Sequence, residues 1–143
     1  MFKFRLEKIL RLREYKEKFC LEEVGKCVSQ LQDALEKKEE LEERKTKLEN
    51  EFMAILKGVI SAEKVSLYKN YLLYQDELLK IQEQVIEVKK NNLEEARQKL
   101  VQAMKERKIL EKLREKQDYR YQQEQEKNEQ IFQDELAVTS KRR

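Results

Sequence analysis

The side chains that could do chemistry in this chain are two cysteines and many carboxylates. Cys20 and Cys27 are seven residues apart, which on a helix places them on one face about 10 Å apart along the axis, too far for a disulfide. Because the chain has no histidine, the thiols lack the further ligands that zinc needs, and the carboxylates lack the usual general base. We expect no metal site, no cofactor and no catalytic residue, and we interpret both cysteines as small apolar packing residues.

Glycine is equally scarce. Neither Gly25 nor Gly58 lies beside a Gly-Lys-Ser or Gly-Lys-Thr sequence, which argues against a phosphate-binding loop. The many glutamate pairs fall on convex helix faces, where no pocket would shift the pKa of their carboxyl groups. The sequence therefore predicts a protein that is not an enzyme and that acts through surfaces for partners.

Composition indicates the elements that must carry those surfaces. The chain has 143 residues, of which 43% are charged, and it contains no proline and no tryptophan. This composition is typical of long helices and coiled coils. We predict an all-α fold in which two long helices form an antiparallel coiled-coil hairpin, as one domain over residues 1–143.

The two helices are predicted to meet at a turn around residues 58–61. Gly58 can adopt the left-handed conformation that closes a helix, Ser61 can cap the next helix, and Glu63 then lies in its first turn. The alternative is one unbroken helix through Gly58, which costs about 1 kcal/mol relative to alanine at that position. Against this alternative, the regular spacing of apolar residues along the helix is interrupted here. The predicted boundaries are about 2–57 for helix 1, about 62–136 for helix 2, and a disordered basic tail at about 137–143.

Each predicted helix carries an apolar seam with alternating steps of four and three residues, the spacing of a coiled coil. In helix 1, twelve of the sixteen seam residues are apolar. The seam of helix 1 is Leu6, Leu10, Arg13, Glu17, Cys20, Val24, Cys27, Leu31, Ala34, Lys38, Leu41, Lys45, Leu48, Phe52, Ile55 and Val59. The seam of helix 2 runs from Tyr68 through Leu72, Gln75, Leu79, Gln82, Ile86, Lys89, Leu93, Ala96, Leu100, Ala103, Arg107 and Leu110, and then becomes polar. Antiparallel pairing about the turn matches residue i with about 120 − i, which leaves the last 20 or so residues without a partner in this chain.

The end of the hairpin that holds the termini is predicted to be basic. Residues 1–20 have seven Lys or Arg against three Glu, and residues 105–121 have seven against four acids. The seam also becomes polar here, with Arg13 and Glu17 on helix 1 and Arg107 and Arg114 on helix 2. These long side chains could simply extend out of a thin seam; the functional interpretation is that this end enters another protein.

Neither a secretory signal nor a membrane span is predicted. Residues 1–5 alternate charged and apolar residues, and the longest apolar stretches, such as 52–56 and 71–74, are too short to cross a bilayer. We expect a cytoplasmic protein.

Three stretches together resemble one family. They are Phe4-Arg5-Leu6-Glu7-Lys8-Ile9-Leu10-Arg11-Leu12-Arg13-Glu14, residues 103–113 with Arg107-Lys108-Ile109-Leu110-Glu111-Lys112-Leu113, and Asp134-Glu135-Leu136-Ala137. With the Gly58 turn followed by Tyr68-Lys69-Asn70-Tyr71-Leu72, they are similar in order and spacing to the flagellar export protein FliJ family.

The resemblance implies a fold similar to the central stalk of rotary ATP synthases and a role in flagellar type III protein export. It implies a chaperone-handling ATPase regulator that binds inside the hexameric export ATPase ring, promotes ring assembly and ATP hydrolysis, and couples the ring to the membrane export gate and to export chaperones. Such a protein would be a monomer alone, peripheral through its partners at the inner face of the cell membrane at the flagellar base.

The resemblance also implies two sets of contact residues. The ring-binding set is Phe4, Arg5, Leu6, Ile9, Arg13, Arg107, Lys108, Leu110, Glu111 and Leu113. The export-gate set is Tyr68, Tyr71, Leu72 and Tyr74, although the seam places Tyr68 in the core and leaves Tyr71 and Tyr74 as the better exposed contacts.

Two other classes of function stay open from the residues alone. A basic helical hairpin can bind RNA, but the acids interleaved with the bases at this end argue against a nucleic-acid partner. A passive coiled-coil spacer is the other class, in which the polar end of the seam pairs with a second chain.

Overall fold

The structure, a computed structural model, describes residues 2–141, and these form two helices without any strand. Helix α1 spans Glu7–Leu56 and helix α2 spans Ala62–Lys141. The chain divides into two compact units, to both of which α1 and α2 contribute. The terminal unit comprises residues 1–20 and 100–143, and the turn unit comprises residues 21–99. In each unit the two helices pack antiparallel, so the predicted all-α hairpin is confirmed.

The core of each unit follows the predicted seam. In the terminal unit the buried apolar residues are Phe4, Leu10, Cys20 and Ala103, and all but Phe4 are seam residues. In the turn unit they are Ala34, Leu41, Ile86, Leu93 and Ala96, all of them seam residues. A seam this narrow buries few side chains completely, and Leu10 is the largest described side chain that is fully buried. Val59 is the one predicted seam residue of α1 that is fully exposed, because the helix has ended before it.

Contacts between the helices confirm the predicted pairing in both units. In the terminal unit, Arg114 of α2 lies 3.6 Å from the carboxylate of Glu7. In the turn unit, the Lys45 ammonium lies 2.6 Å from Asp76, and the Phe52 and Tyr68 rings stack with centroids 5.6 Å apart. Each pair follows the rule that residue i of α1 meets a residue numbered about 120 − i.

The turn forms at the predicted place but closes differently. The Ser61 hydroxyl accepts a hydrogen bond from the backbone N–H of Lys64 (3.3 Å), which confirms Ser61 as the cap of α2. Gly58, however, does not have a positive φ, so the prediction of a left-handed Gly58 is wrong. Instead α1 ends in a tighter turn, in which the N–H groups of Lys57 and Gly58 donate to the carbonyls of Ala54 (3.4 Å) and Ile55 (3.1 Å). These bonds reach three residues back and satisfy the last carbonyls without a left-handed residue.

Both outer helix boundaries differ from the predicted ones. Helix α1 begins at Glu7 and not at Phe2. A helical Phe4 would point away from the seam, whereas the non-helical segment lets Phe4 bury its ring and accept the first turn's hydrogen bond from Glu7 N–H (3.2 Å). Helix α2 continues to Lys141, past the predicted end at Leu136, because no glycine or proline interrupts residues 137–141. Of the basic tail predicted as disordered, residues 137–141 are therefore helical; Arg142 and Arg143 lie outside the described residues.

Polar groups enter the seam of the turn unit as well. Gln82 is buried, and its side-chain amide donates to the backbone carbonyl of Ala34 at 2.7 Å. Gln75 lies one heptad earlier, and its side-chain oxygen is buried without a hydrogen-bond partner. Asp76, which hydrogen-bonds the Lys45 ammonium, raises the pKa of Lys45. These groups weaken the apolar seam but favour one register, since a slipped pairing would separate them.

Candidate partner-binding surfaces

The predicted ring-binding residues all lie in the terminal unit, but the structure divides them by what they touch. Phe4 is buried, and Leu6 and Leu110 are half-buried on the seam. These three apolar side chains belong to the packing between α1 and α2. Their replacement would act first on the stability of the unit, whatever its effect on a partner.

Arg107 lies at the centre of an ion-pair cluster across the seam. Its guanidinium donates to Glu17 on α1 and to Glu111 one turn further along α2, the latter at 2.7 Å. The three side chains are only 19%, 22% and 32% exposed, so little of this charge faces solvent. The hydrogen bonds to Glu111 and Glu17 raise the pKa of Arg107 above its ordinary value. Arg107 and Glu111 are therefore paired with each other inside this unit.

A second cluster is centred on Glu106. Its carboxylate accepts from Arg13 at 2.6 Å and from Lys16 at 3.1 Å. The hydrogen bond from Lys16 lowers the pKa of Glu106, and the positive charges of Lys16 and Arg13 act in the same direction. Arg13, like Arg107, thus faces a carboxylate of the neighbouring helix.

The remaining predicted ring-binding residues are exposed. Arg5 and Lys108 are open to solvent, Ile9 is 42% exposed and Leu113 is 37% exposed. These four can meet a partner without opening the packing between the helices. The structure thus separates the set into helix-packing residues and accessible residues.

Large exposed apolar residues in this unit escaped the sequence prediction. Leu12, Tyr15 and Phe19 on α1 and Ile109 on α2 are each at least 62% exposed. All four lie off the seam, so a prediction that follows only the apolar seam does not include them. A search for a second apolar face would have found them.

Beyond Tyr121, α2 has no half-buried residue among those described. Every residue from 122 to 141 is exposed, which confirms that this segment lacks a partner in the chain. Before it, the ring of Phe2 meets that of Tyr121 with centroids 5.8 Å apart. The exposed segment still carries a group of apolar residues in its last turns, namely Ile131, Phe132, Leu136 and Val138.

The predicted export-gate residues belong to the turn unit, and the seam divides them too. Tyr68 stacks on Phe52, and Leu72 is half-buried, so both are packing residues. Tyr71 and Tyr74 are 52% and 55% exposed. The expectation that these two tyrosines are the accessible ones is confirmed.

Tyr71 and Tyr74 are part of a longer apolar stripe on α2, which we call the outer stripe. It repeats every four and three residues, like the seam, but is displaced from it by one residue. Its members are Leu67, Tyr71, Tyr74, Leu78, Ile81, Val85 and Val88, all exposed except Leu78, which is half-buried. Only Tyr71 and Tyr74 of these seven residues are predicted as contacts from the sequence, because the apolar seam does not include the residues beside it.

The cysteines and the surface offer little for chemistry. Both thiols are free, with Cys20 buried and Cys27 half-buried. A depression such as the one lined by Glu39, Glu42, Glu43, Thr46, Lys47 and Asn50 follows the flank of one helix. No helix among residues 2–141 has an apolar stretch long enough to cross a membrane.

Comparisons with known proteins agree with this architecture. The family model described as the flagellar FliJ protein matches residues 2–143. Among solved structures, CT670 from Chlamydia trachomatis, described as a homologue of YscO, is similar with a TM-score of 0.73 and 20% sequence identity. The similarity covers 96% of this chain and 93% of that one. No curated protein matches the sequence.

Proposed function

Because the chain belongs to the flagellar FliJ family and is thus a component of flagellar type III protein export, we propose that its terminal unit binds inside the hexameric export ATPase ring. There it promotes ring assembly and ATP hydrolysis, without itself being an enzyme. The observation that carries the proposal is the terminal unit itself, which joins an excess of basic residues to a helical segment, 122–141, that is exposed throughout. An exposed helix with nothing packed on it in its own chain is available to another protein.

The accessible members of the predicted set, Arg5, Ile9, Lys108 and Leu113, would contact the ring directly. Arg13 and Arg107 would act by holding α1 and α2 in register, since each binds a carboxylate of the other helix. Glu111 would act by positioning Arg107, which it binds within α2. The predicted ring-binding set therefore stays in the terminal unit, but its members divide into residues that contact the ring and residues that position the helices.

The turn unit would supply the contact with the membrane export gate and with export chaperones. We assign this contact to Tyr71 and Tyr74 within the outer stripe, because Tyr68 and Leu72 are occupied by packing. Through these partners the protein would lie at the inner face of the cell membrane, and it would be a monomer on its own.

The ATPase proposal is tested with the export ATPase of the same organism. Its hydrolysis rate and oligomeric state are measured with and without this protein at two salt concentrations. We expect faster hydrolysis together with ring assembly, both weaker at the higher salt because charges contribute to binding. No change in either quantity would contradict the proposal.

The gate proposal is tested separately with the cytoplasmic part of the gate protein. Replacing Tyr71 and Tyr74 by alanine is expected to weaken binding about tenfold, since exposed aromatic side chains often dominate an interface. The matched control is Leu73→Ala, which removes a side chain of similar exposure (62%) from another face of the same helix. Equal losses in the two variants would show that the outer stripe is not the contact.

A further inference from the structure

Charge and apolar side chains are distributed unequally around the terminal unit. In the seam's heptad, positions a and d form the seam, positions c and g lie on one side, and positions b and e lie on the other. In an antiparallel pair the g positions of the two helices meet along one flank and the e positions along the opposite flank. The Lys16–Glu106 contact joins two g positions at 3.1 Å and identifies the g flank of this unit.

The acids of the terminal unit are concentrated on the e flank. Apart from Glu17 in the seam, the acidic residues of segments 2–20 and 100–121 lie at b or e positions, with a single exception. Those at b or e are Glu7, Glu14, Glu111, Glu115 and Asp118. The exception, Glu106, is at g and is bound by Arg13 and Lys16.

Bases lie on both flanks, and it is the balance of charge that separates the flanks. The c and g positions hold Lys16, Lys116 and Arg120 against one acid, whereas the b and e positions hold Arg11, Lys18 and Lys108 against five acids. Three further bases, Lys8, Lys105 and Lys112, are at the back positions f, and Arg5 lies in the turn just before α1. The g flank also carries exposed apolar residues at c and g, namely Ile9, Leu12, Phe19, Ile109 and Leu113. We call this surface, the c and g positions of both helices with the bases at f, the basic face.

The pairing of the helices brings the apolar residues of the basic face to one place. Ile9 and Leu113 are the g residues one heptad along from the Lys16–Glu106 contact, so the register sets them opposite each other. Leu12 and Ile109 are at the neighbouring c positions, 66% and 67% exposed. The result is an apolar centre with Lys8, Lys112 and Lys116 around it.

We infer that the basic face is the contact that the paired helices of the terminal unit make with their partner, and that the partner presents apolar contact points surrounded by carboxylates. The inference rests on the proposed ATPase binding and names the contact more closely: Leu12 and Ile109 are its apolar anchors. The reason is complementarity, because exposed aliphatic side chains gain most when buried against apolar groups, and the surrounding bases require acids at the rim.

The aliphatic centre also argues for a protein partner over nucleic acid. Phosphates bind basic side chains, and bases stack on aromatic rings, but neither gains much from isoleucine and leucine. In the sequence, acids interleaved with the bases argue against RNA binding. In the structure most of these acids lie on the e flank and leave the basic face open, so RNA binding is an outcome that the experiment must detect.

The test compares matched variants by their dissociation constants for the export ATPase. Lys112→Glu with Lys116→Glu alters the basic face, while Arg11→Glu with Lys18→Glu makes the same charge change at two exposed b positions of α1. Ile109→Ser is matched by Val101→Ser, an exposed b position of the same helix in the same unit. We expect at least about tenfold weaker binding for the first member of each pair and less than about twofold change for the second. Helical content by circular dichroism is measured for all four.

The outcomes separate this inference from the proposal beneath it. Failure of the unaltered protein to bind the ATPase would overturn both. Normal ATPase binding with equal effects in the matched variants would overturn the inference only. Binding of duplex RNA or of anionic vesicles in place of the ATPase, weakened by the basic-face variants, would reassign the face and overturn the protein partner.

Discussion

At the scale of single residues, the charged groups of the seam neutralise one another. Arg13 and Arg107 would be read from the sequence as free positive charges for a partner, but both face carboxylates of the neighbouring helix. Reversing both charges would place glutamates beside Glu106, Glu17 and Glu111. Such a variant would report on the stability of the unit before it reported on partner binding.

The Glu106 cluster predicts a specific dependence on pH. Because the folded-state pKa of Glu106 is lowered from its ordinary value of 4.5, its contribution to stability is present above that value and is lost as the pH falls through the lowered pKa. We expect Glu106→Gln to be less stable than the unaltered protein at about pH 7, and the difference to shrink as the pH is lowered below about 4.5 towards 3. Thermal unfolding followed by circular dichroism across this range of pH measures this. A stability difference that persists unchanged in acid would contradict the assignment.

Gln75 predicts a stabilising substitution. Its side-chain oxygen is buried without a hydrogen-bond partner, whereas the amide of Gln82 is bonded to a carbonyl. Replacing Gln75 by leucine is expected to raise the free energy of unfolding by about 1 kcal/mol, because it removes the unsatisfied group and extends the apolar seam. Urea denaturation measures the change, with Gln84→Leu, an exposed site on the same helix, as the control expected to have little effect. A loss of stability in Gln75→Leu would show that the amide has a partner in solution.

At the scale of the elements, the turn depends on Ser61 more than on Gly58. The serine hydroxyl caps α2, while Gly58 has no positive φ, and a Cβ added there would meet only the Ile55 carbonyl oxygen, at 3.8 Å. The backbone geometry of the turn therefore does not require glycine at position 58.

This difference predicts opposite effects for two alanine substitutions. Ser61→Ala should lower the free energy of unfolding by about 1 kcal/mol through loss of the cap. Gly58→Ala should raise it by about 0.5 kcal/mol, since alanine restricts the unfolded chain and meets no clash. Denaturation of both variants under the same conditions provides the comparison. Marked destabilisation by Gly58→Ala would indicate the left-handed conformation that the structure does not show.

At the scale of the whole molecule, the packing that gives stability and the surfaces proposed for partners lie in different parts of the chain. The segment 122–141 is exposed throughout, so it contributes little to the packing of the terminal unit. The outer stripe of the turn unit is also exposed but lies on a helix that packing holds in place. Either of these proposed partner surfaces can therefore be altered without loss of the fold.

A variant that ends at Tyr121 tests this separation. We expect its free energy of unfolding to change by less than about 0.5 kcal/mol, because the removed residues bury no side chain against the hairpin. The helical signal should fall by the share of the lost segment, and binding to the export ATPase should weaken. Chemical denaturation and circular dichroism measure the first two quantities. A large loss of stability would mean that the segment packs on the rest of the protein in solution.

The sequence by itself determined the seams, the place of the turn and the pairing of residue i with about 120 − i. It could do so because the four-and-three spacing of apolar residues follows from helix geometry, and a turn between two such helices leaves little choice of register. The burial of Leu10, Ala34, Ile86 and Ala103 on the predicted seam reflects this.

Only the tertiary structure decided which side chains on the flanks of the terminal unit are exposed. It leaves Ile9, Leu12, Ile109 and Leu113 open on the g flank, although the position of that flank already follows from the heptad and the antiparallel pairing. It also decided that Arg13 and Arg107 are bound within the unit, and that Phe4 leaves the helix to bury its ring. The physical reason is that each of these features depends on contacts between segments about 90 or more residues apart, which no local pattern contains.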